Sequence, residues 1–218
     1  ALWYVSRRRE LEEGEEPIYS PKEVVELLTR ISRNGSDLKD QATHILDHFA
    51  SDGSIQVETF NANELLTCIV DDHVAAADHL KVELVATYPD EMYVLSNKRA
   101  MYTVLRNIIS NAVKFTGAAD GDRQVNIEAI NTSDGIEIRV VDSGIGISPE
   151  LLESGRLFQF GQRGKNADQS QAKGYGLGLA TVKQMLDSLG GTIEVTSEVN
   201  KGTTITLLFP KEQDTETI

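Results

Sequence analysis

A glycine-rich stretch from Gly174 to Thr181 has the clearest potential for binding chemistry in this sequence. Glycines alternate at Gly174, Gly176 and Gly178, and apolar residues at helical spacing follow directly. Glycine lets backbone N–H groups approach a ligand, and a helix N-terminus adds unpaired donors and a partial positive charge. The stretch therefore predicts a phosphate-binding turn at the start of a helix, with a flexible loop as the alternative.

This stretch does not match two common nucleotide-binding loops. A P-loop needs Lys followed by Ser or Thr after its glycines, and no such pair follows Gly178. A dinucleotide fingerprint counted from Gly174 needs a glycine at the position of Leu179. The sequence thus indicates a third design of nucleotide site.

Two asparagines, Asn107 and Asn111, lie four residues apart on one face of a predicted helix, with Lys114 nearby. They stand within its apolar face, beside Ile108 and Ala112, where an unpaired amide is costly. An amide oxygen is a hard ligand suited to Mg²⁺, which binds phosphate-bearing substrates through few protein ligands. We therefore favour a binding role over two exposed helix-surface asparagines, which is the alternative.

Asp142 follows a predicted strand and precedes a glycine-containing turn, Ser143–Ile147. A carboxylate held there can accept a hydrogen bond from an amino group such as adenine N6, although an ordinary Asp-Gly turn has the same pattern. Farther along, Phe158 and Phe160 interrupt a long polar segment of the kind that forms a lid. These aromatics predict an anchor for that lid or a contact with a partner, and a local cluster is the alternative.

The elements that must position these residues are both helices and strands. Strand patterns cover 55–60, 82–85, 92–95, 125–130, 136–141, 192–196 and 203–209, and helical patterns cover 61–80, 98–114 and the residues after Gly178. The hairpin signals predict a mixed sheet with helices on one face, which is an α+β fold. A heptad spacing from Val24 to Phe49 predicts one helix over about 21–50 that packs against another helix.

Composition narrows the classes of function. The 218-residue chain has a formal net charge of −13, which argues against nucleic acid or anionic lipid as a partner. A single cysteine, Cys68, excludes an internal disulfide and predicts a cytoplasmic, reducing compartment. Leu2–Arg9 is compatible with the end of a membrane helix and its basic flank, which an upstream sensor segment would require, but a cut amphipathic helix is the favoured interpretation.

Taken together, these stretches resemble the GHKL ATPases, and within that class the catalytic domain of two-component sensor histidine kinases. Asn107–Thr116 resembles the N box, Asp142–Ile147 the G1 box, Phe158–Phe160 the F box and Gly174–Leu179 the G2 box. Gly202–Thr204 is similar to the last glycine motif before the closing strand. The F box is what argues against a topoisomerase or a chaperone.

The resemblance implies a two-layer α/β sandwich of the Bergerat type that binds ATP and Mg²⁺. Asn111 would hold Mg²⁺ with support from Asn107, and Lys114 would approach the phosphates, so Asn111 and Lys114 would act in catalysis. Asp142 would read the adenine base. The other ATP-binding positions that the resemblance implies are Gly144, Gly146, Ile147, Phe158, Gly174, Tyr175, Gly176, Leu177, Gly178, Leu179 and Thr204.

The same resemblance implies a domain organisation. Residues 1–52 would be part of a helical dimerisation and phosphoacceptor hairpin, 53–212 the catalytic ATP-binding domain, and 213–218 a flexible tail. Residues 148–173 would form the ATP lid. In the longer protein, the hairpin would support a homodimer.

The sequence departs from the family pattern in two respects. The acceptor motif, a histidine followed by an acidic residue, Arg, Thr or Asn, and Pro, is absent, and by family spacing it would fall at or just before residue 1. The chain's histidines are His44, His48, His73 and His79. His44 and His48 have metal-ligand spacing on a helix, but we expect them on a solvated helix face rather than in an acceptor or metal site. Asn97 stands where the family often has Asp.

The favoured hypothesis is an ATP- and Mg²⁺-dependent protein-histidine kinase that phosphorylates a histidine on the dimerisation helix. The phosphoryl group would then pass to an aspartate in the receiver domain of a response regulator. One alternative is a signalling module that binds nucleotide without kinase activity. The other is a GHKL kinase that phosphorylates serine on a partner.

Overall fold

The computed structural model describes residues 57–162, 176 and 178–211. The chain divides into two units, Ala1–Ser54 and Ile55–Ile218, and every described residue belongs to the second. The predicted helix over 21–50 and the tail at 213–218 lie outside the described residues. The same is true of five residues singled out above, namely His44, His48, Gly174, Tyr175 and Leu177.

The second unit contains both helices and strands. In chain order its elements are β1 (Glu58–Asn61), α1 (Ala62–Leu80), β2 (Glu83–Thr87), β3 (Tyr93–Ser96), α2 (Lys98–Gly117), β4 (Gln124–Asn131), β5 (Gly135–Asp142), α3 (Pro149–Glu153), α4 (Gly178–Ser188), β6 (Thr192–Glu198) and β7 (Gly202–Pro210). None of the helices in the described ranges is long and apolar enough to cross a membrane.

Five strands form one sheet in the order β2-β4-β5-β7-β6. β2 runs parallel to β4, and the remaining neighbours pair antiparallel. The predicted mixed sheet is therefore confirmed. β1 and β3 form a separate antiparallel pair.

One face of the sheet is covered by helices. On β5, Ile136, Ile138 and Val140 are buried, while the residues between them are half-buried or exposed. α2 packs against these strands and against α1 and α4. Its buried apolar residues are Met101, Val104, Leu105, Ile108, Ile109, Ala112 and Val113. Because burial of one large apolar side chain contributes roughly 1.5–3 kcal/mol, this shared core fixes α2 over the sheet and gives the predicted two-layer α/β sandwich.

Both long helices begin with an asparagine cap. The Asn61 side chain accepts a hydrogen bond from the N–H of Asn63 (3.1 Å), and the Asn97 side chain accepts one from the N–H of Ala100 (2.8 Å). Asn and Asp are about equally good caps, since both offer a side-chain oxygen to the first turn. Asn97 therefore serves α2 as a cap despite its departure from the family pattern.

The structure adds one helix to the predicted elements. α3 occupies 149–153, within the segment predicted to be a lid. It has Pro149 at its start, a position that suits proline because the first N–H groups of a helix have no partner within it. Five residues are too few to show a helical period, so this element was missed. The predicted end of α2 at Lys114 is also too early, because α2 continues to Gly117 and buries Thr116.

Candidate nucleotide-binding site

Asp142 is the last residue of β5 and lies beside β7. Its Oδ1 accepts hydrogen bonds from the backbone N–H groups of Gly144 (2.8 Å) and Thr203 (3.2 Å). Among the described residues, Oδ2 of Asp142 has no hydrogen-bond donor. The carboxylate is thus fixed through one oxygen, and the other is free to accept a bond from a ligand.

The surroundings of Asp142 change its acidity. The pKa of Asp142 is raised from 3.8 to about 6. Burial is the main cause, and the hydrogen bonds from the N–H groups of Gly144 and Thr203 offset part of its effect. The carboxylate is therefore mainly ionised at neutral pH, although its charge is poorly solvated. Such a perturbed carboxyl group is characteristic of functional sites, where a ligand donor can replace the lost water.

Glycines bring the backbone close to Asp142. A Cβ at Gly144 would lie 2.7 Å from Oδ1 of Asp142 and 2.9 Å from the carbonyl carbon of Phe115. Gly146 has a φ of +67°, and a Cβ there would lie 2.1 Å from the carbonyl oxygen of Glu198. These two glycines allow the loop after β5 to pack directly on the end of α2 and on the β6–β7 hairpin.

Further hydrogen bonds join this loop to the β6–β7 hairpin. The N–H of Asn200 donates to the carbonyl of Ile145 (3.0 Å). The N–H of Ile147 donates to Oγ of Ser197 (2.8 Å). The loop that follows Asp142 is therefore held in place by the last two strands.

A second group of predicted residues lies between α2 and the start of α4. Nδ2 of Asn107 donates to the carbonyl of Thr103 (2.8 Å), which leaves Oδ1 as the group nearest Gly178. A Cβ at Gly178 would lie 3.2 Å from Oδ1 of Asn107 and 3.2 Å from Nδ2 of Asn111. Both amides thus converge on the first residue of α4.

Lys114 extends this group along α2. Its Nζ donates a hydrogen bond to Oδ1 of Asn111 (3.2 Å) and lies 4.2 Å from the centroid of the Phe115 ring. A cation over an aromatic face is held electrostatically. Lys114 therefore brings positive charge next to Asn111.

The described part of the glycine-rich stretch packs on the aromatic segment. Gly176 has a φ of +70°, and a Cβ there would lie 2.5 Å from the carbonyl oxygen of Gln162. The N–H of Gly161 donates to the carbonyl of Gly176 (2.9 Å). Phe158, which the resemblance assigns to the F box, is half-buried in the turns just before these residues.

Most of the described site residues fall into two groups, one in the loop after β5 and one between α2 and the start of α4. Asp142, Gly144, Gly146 and Ile147 form the group after β5, and Asn107, Asn111, Lys114 and Gly178 form the group at the start of α4. Leu179 lies one residue into α4 and packs on the core. α2 links the two groups, since Phe115 touches the first and Asn107 and Asn111 belong to the second.

Thr204 lies apart from these groups. Thr203 pairs with Asp142 and shares the buried face of β7 with Ile205, whereas Thr204 pairs with Val141. Successive side chains of a strand point to opposite faces, so Thr204 lies on the face away from the helices. Thr204 stays a prediction as an ATP-binding residue. Sequence reasoning did not name Thr203, although the alternation of buried residues from Ile205 to Phe209 indicated which threonine shares the buried face.

Ser197 is a second contact that sequence reasoning missed. Its hydroxyl meets the loop after β5 only because β6 lies beside β7 in the sheet. A serine in an alternating strand gives no local sign of such a partner.

The comparisons with known proteins show the family of the chain. Residues 96–213, more than half of the chain, match the family described as "Histidine kinase-, DNA gyrase B-, and HSP90-like ATPase". The chain therefore belongs to this family, and membership implies ATP binding. The matched range contains both groups of site residues.

The relatives and the fold identify the type of domain. The chain is similar to the sensor-like histidine kinase SenX3 of Mycobacterium tuberculosis, with 37% identity over 63% of this chain and 32% of SenX3. It is 32% identical to the histidine protein kinase DivJ of Caulobacter vibrioides, over 83% of this chain and 30% of DivJ. The chain thus spans about a third of the length of these relatives.

A solved structure supports the fold. Full-length ShkA in complex with AMPPNP aligns with a TM-score of 0.62 at 23% identity, over 80% of this chain and 35% of ShkA. The described unit is an ATPase domain of this family, and the relatives it resembles are named as histidine kinases. The alternative of a module without kinase activity gains no support, because these relatives are named as histidine kinases.

Proposed function

We propose that this chain is the ATP-binding catalytic part of a protein-histidine kinase. It would transfer the γ-phosphoryl group of Mg²⁺-bound ATP to a histidine of the longer protein, from which a response-regulator aspartate would receive it. The observation that carries the proposal is the Asp142 carboxylate, which two backbone N–H groups fix through Oδ1 while Oδ2 is left for a ligand.

The adenine base would bind at Asp142. The exocyclic amino group of adenine donates hydrogen bonds, so it complements the ionised Oδ2, whereas the oxygen at the same position of guanine would repel it. Gly144 and Gly146 support this assignment, since any side chain at either position would collide with the surrounding backbone or with Asp142 itself.

The phosphates and Mg²⁺ would lie between α2 and the start of α4. Among the described residues, no group of three or more His, Cys, Asp or Glu side chains could hold a metal. The donors present near Gly178 are amides, and Mg²⁺ is commonly held by one or two protein oxygens together with phosphates and water. This donor set fits Mg²⁺ through Oδ1 of Asn111, the oxygen that Lys114 contacts in the structure, with Asn107 in support. Lys114 would then turn to neutralise phosphate charge.

The first test is calorimetric titration of the chain with ADP and Mg²⁺. We expect binding, and we expect Asn111→Asp to weaken the Mg²⁺-dependent part of it by about tenfold or more, because a carboxylate alters both the charge and the metal site. Asn131→Asp is the matched control, since it makes the same change at an exposed position on β4. Equal metal dependence in both variants would remove Asn111 from the site.

The second test addresses phosphoryl transfer. The full-length protein is incubated with γ-labelled ATP and Mg²⁺, and the label is then tested for stability to acid and alkali. Acid-labile, alkali-stable label that passes to a response regulator supports the proposal. A full-length protein that binds ATP but is never labelled would contradict it.

A further inference from the structure

We propose that Ser197 is a positioning residue for the adenine side of the nucleotide site, an inference that rests on the proposed function. Ser197 lies on β6, an edge strand of the five-stranded sheet. Alternation along β6 places it on the same face as Ile193 and Val195, which pack on the core. Its hydroxyl is therefore directed to the helix-covered side of the sheet, where Asp142 also lies.

The Ser197 hydroxyl uses its full hydrogen-bonding capacity. Its proton goes to the carbonyl of Gly202 (2.7 Å). Its oxygen accepts from the N–H of Ile147 (2.8 Å) and lies 2.9 Å from Oγ1 of Thr203, which must then be the donor of that pair. One donor and two acceptor positions are all that a serine hydroxyl has, so a single oxygen atom holds three groups.

These three groups belong to the two segments that surround Asp142. Ile147 ends the loop that begins at Asp142, while Gly202 and Thr203 begin β7. The N–H of Thr203 is one of the two donors to Oδ1 of Asp142. Ser197 thus ties the far end of the adenine-binding loop to the start of the strand that orients the carboxylate, without touching the carboxylate itself.

Loss of this hydroxyl would loosen the loop from the hairpin. In Ser197→Ala, the Ile147 N–H, the Gly202 carbonyl and the Thr203 hydroxyl all lose a partner. Because the loop is then held less firmly in its binding conformation, we expect ADP affinity to fall by roughly three- to tenfold. The preference for ADP over GDP should fall as well, because the orientation of Asp142 decides which base is accepted.

The experiment compares Ser197→Ala with two other variants in calorimetric titrations with ADP and with GDP. Ser197→Thr keeps the hydroxyl and should restore affinity to within about twofold of the unchanged chain. Thr196→Ala removes a hydroxyl from the adjacent, exposed position of β6 and should change nothing. Hydrogen exchange adds a local readout, since only Ser197→Ala should speed exchange at the Ile147 N–H more than across the core strands.

The outcomes separate this inference from the proposed function. Failure of the unchanged chain to bind ADP would overturn both. Unchanged ADP affinity and base preference in Ser197→Ala would overturn the positioning role alone, as would a loss that Ser197→Thr fails to restore. If Ser197→Ala does not fold, Ser197→Cys replaces it, because a thiol fills the same place with weaker hydrogen bonds. Equal ADP affinity of the Cys and Thr variants would then overturn the role.

Discussion

The backbone N–H of Thr203 donates a 3.2 Å hydrogen bond to Oδ1 of Asp142, which lies 61 positions earlier in the chain. The other donor to this oxygen, the N–H of Gly144, lies two positions away. One bond is therefore local and the other depends on the assembled sheet. The orientation of the carboxylate therefore depends both on the conformation of the loop and on the register of β7.

Asp142→Asn is expected to abolish adenine nucleotide binding and to leave the fold intact. The amide oxygen can still accept from Gly144 and Thr203, but the amide nitrogen then occupies the place of Oδ2 and opposes the adenine amino group. Two facing donors in a partly buried site should weaken ADP binding by about 100-fold or more.

Titration calorimetry and thermal unfolding measure this prediction together. Asp134→Asn, in the exposed β4–β5 turn, is the matched control and should bind like the unchanged chain. Wild-type affinity in Asp142→Asn would remove Asp142 from the site.

The raised pKa of Asp142 predicts a specific pH dependence of stability. Because the pKa rises from 3.8 to about 6, the folded state holds the proton more tightly than the unfolded state between these values. The contribution of Asp142 to the free energy of unfolding is thus fully present below pH 4 and is lost as the pH rises through 6. The loss should be on the order of 2–3 kcal/mol.

Urea unfolding at several pH values between 4 and 7.5 measures the contribution of Asp142 to the free energy of unfolding. Asp142→Asn lacks the titrating group, so its stability relative to the unchanged chain should increase as the pH rises. Other carboxylates titrate in both proteins and cancel in the difference. A difference that stays constant across this range would show that burial does not penalise the charge.

Gly146→Ala should destabilise the protein far more than Gly155→Ala. The two glycines have nearly the same φ, +67° and +66°, so backbone strain costs about 1–2 kcal/mol at each. A Cβ at Gly146 would also lie 2.1 Å from the carbonyl oxygen of Glu198, whereas nothing lies within 4 Å at Gly155. The midpoints of urea unfolding should therefore differ clearly, and similar midpoints would mean that the loop moves away from the hairpin at little cost.

Gly178→Ala should separate binding from stability. The free energy of unfolding should change by no more than about 1 kcal/mol, because the helix propensity of alanine opposes the small shift that Asn107 and Asn111 must make. The added methyl would lie 3.2 Å from Asn107 and Asn111, where Mg²⁺ and phosphate are proposed to bind. Titration with ADP should show affinity reduced by about tenfold with Mg²⁺ and much less reduced with a chelator. An equal loss in both conditions would argue against a metal role for the two asparagines.

The sequence predicted the parts of this fold that leave a local pattern. The alternation of Ile136, Ile138 and Val140 predicted β5, and the helical period of α2 predicted which of its residues are buried. The Asp142 turn also has its whole signature within six residues. Mixed pairing of the sheet followed from hairpin signals, since antiparallel neighbours can be joined by short turns.

The contacts that complete the site could not be predicted in the same way. The bonds from Thr203 to Asp142 and from Ile147 to Ser197 join residues more than 45 positions apart, and they depend on the register of three strands. A shift of one residue exchanges the two faces of a strand, which is the difference between Thr203 and Thr204. Which of these two threonines faces the helices depends on the assembled sheet, and no short sequence pattern specifies the strand order of that sheet.

The sheet order has a consequence for synthesis of the chain. β7 lies between β5 and β6, yet it is the last of these strands to be made. At about 5–20 residues per second, the 60 residues from Asp142 to Gly202 take about 3–12 s to emerge. Throughout that interval β5, with its three buried aliphatic residues, has an unpaired edge that can pair with another nascent chain. The newly made domain should therefore depend most on chaperones in the seconds before β7 arrives.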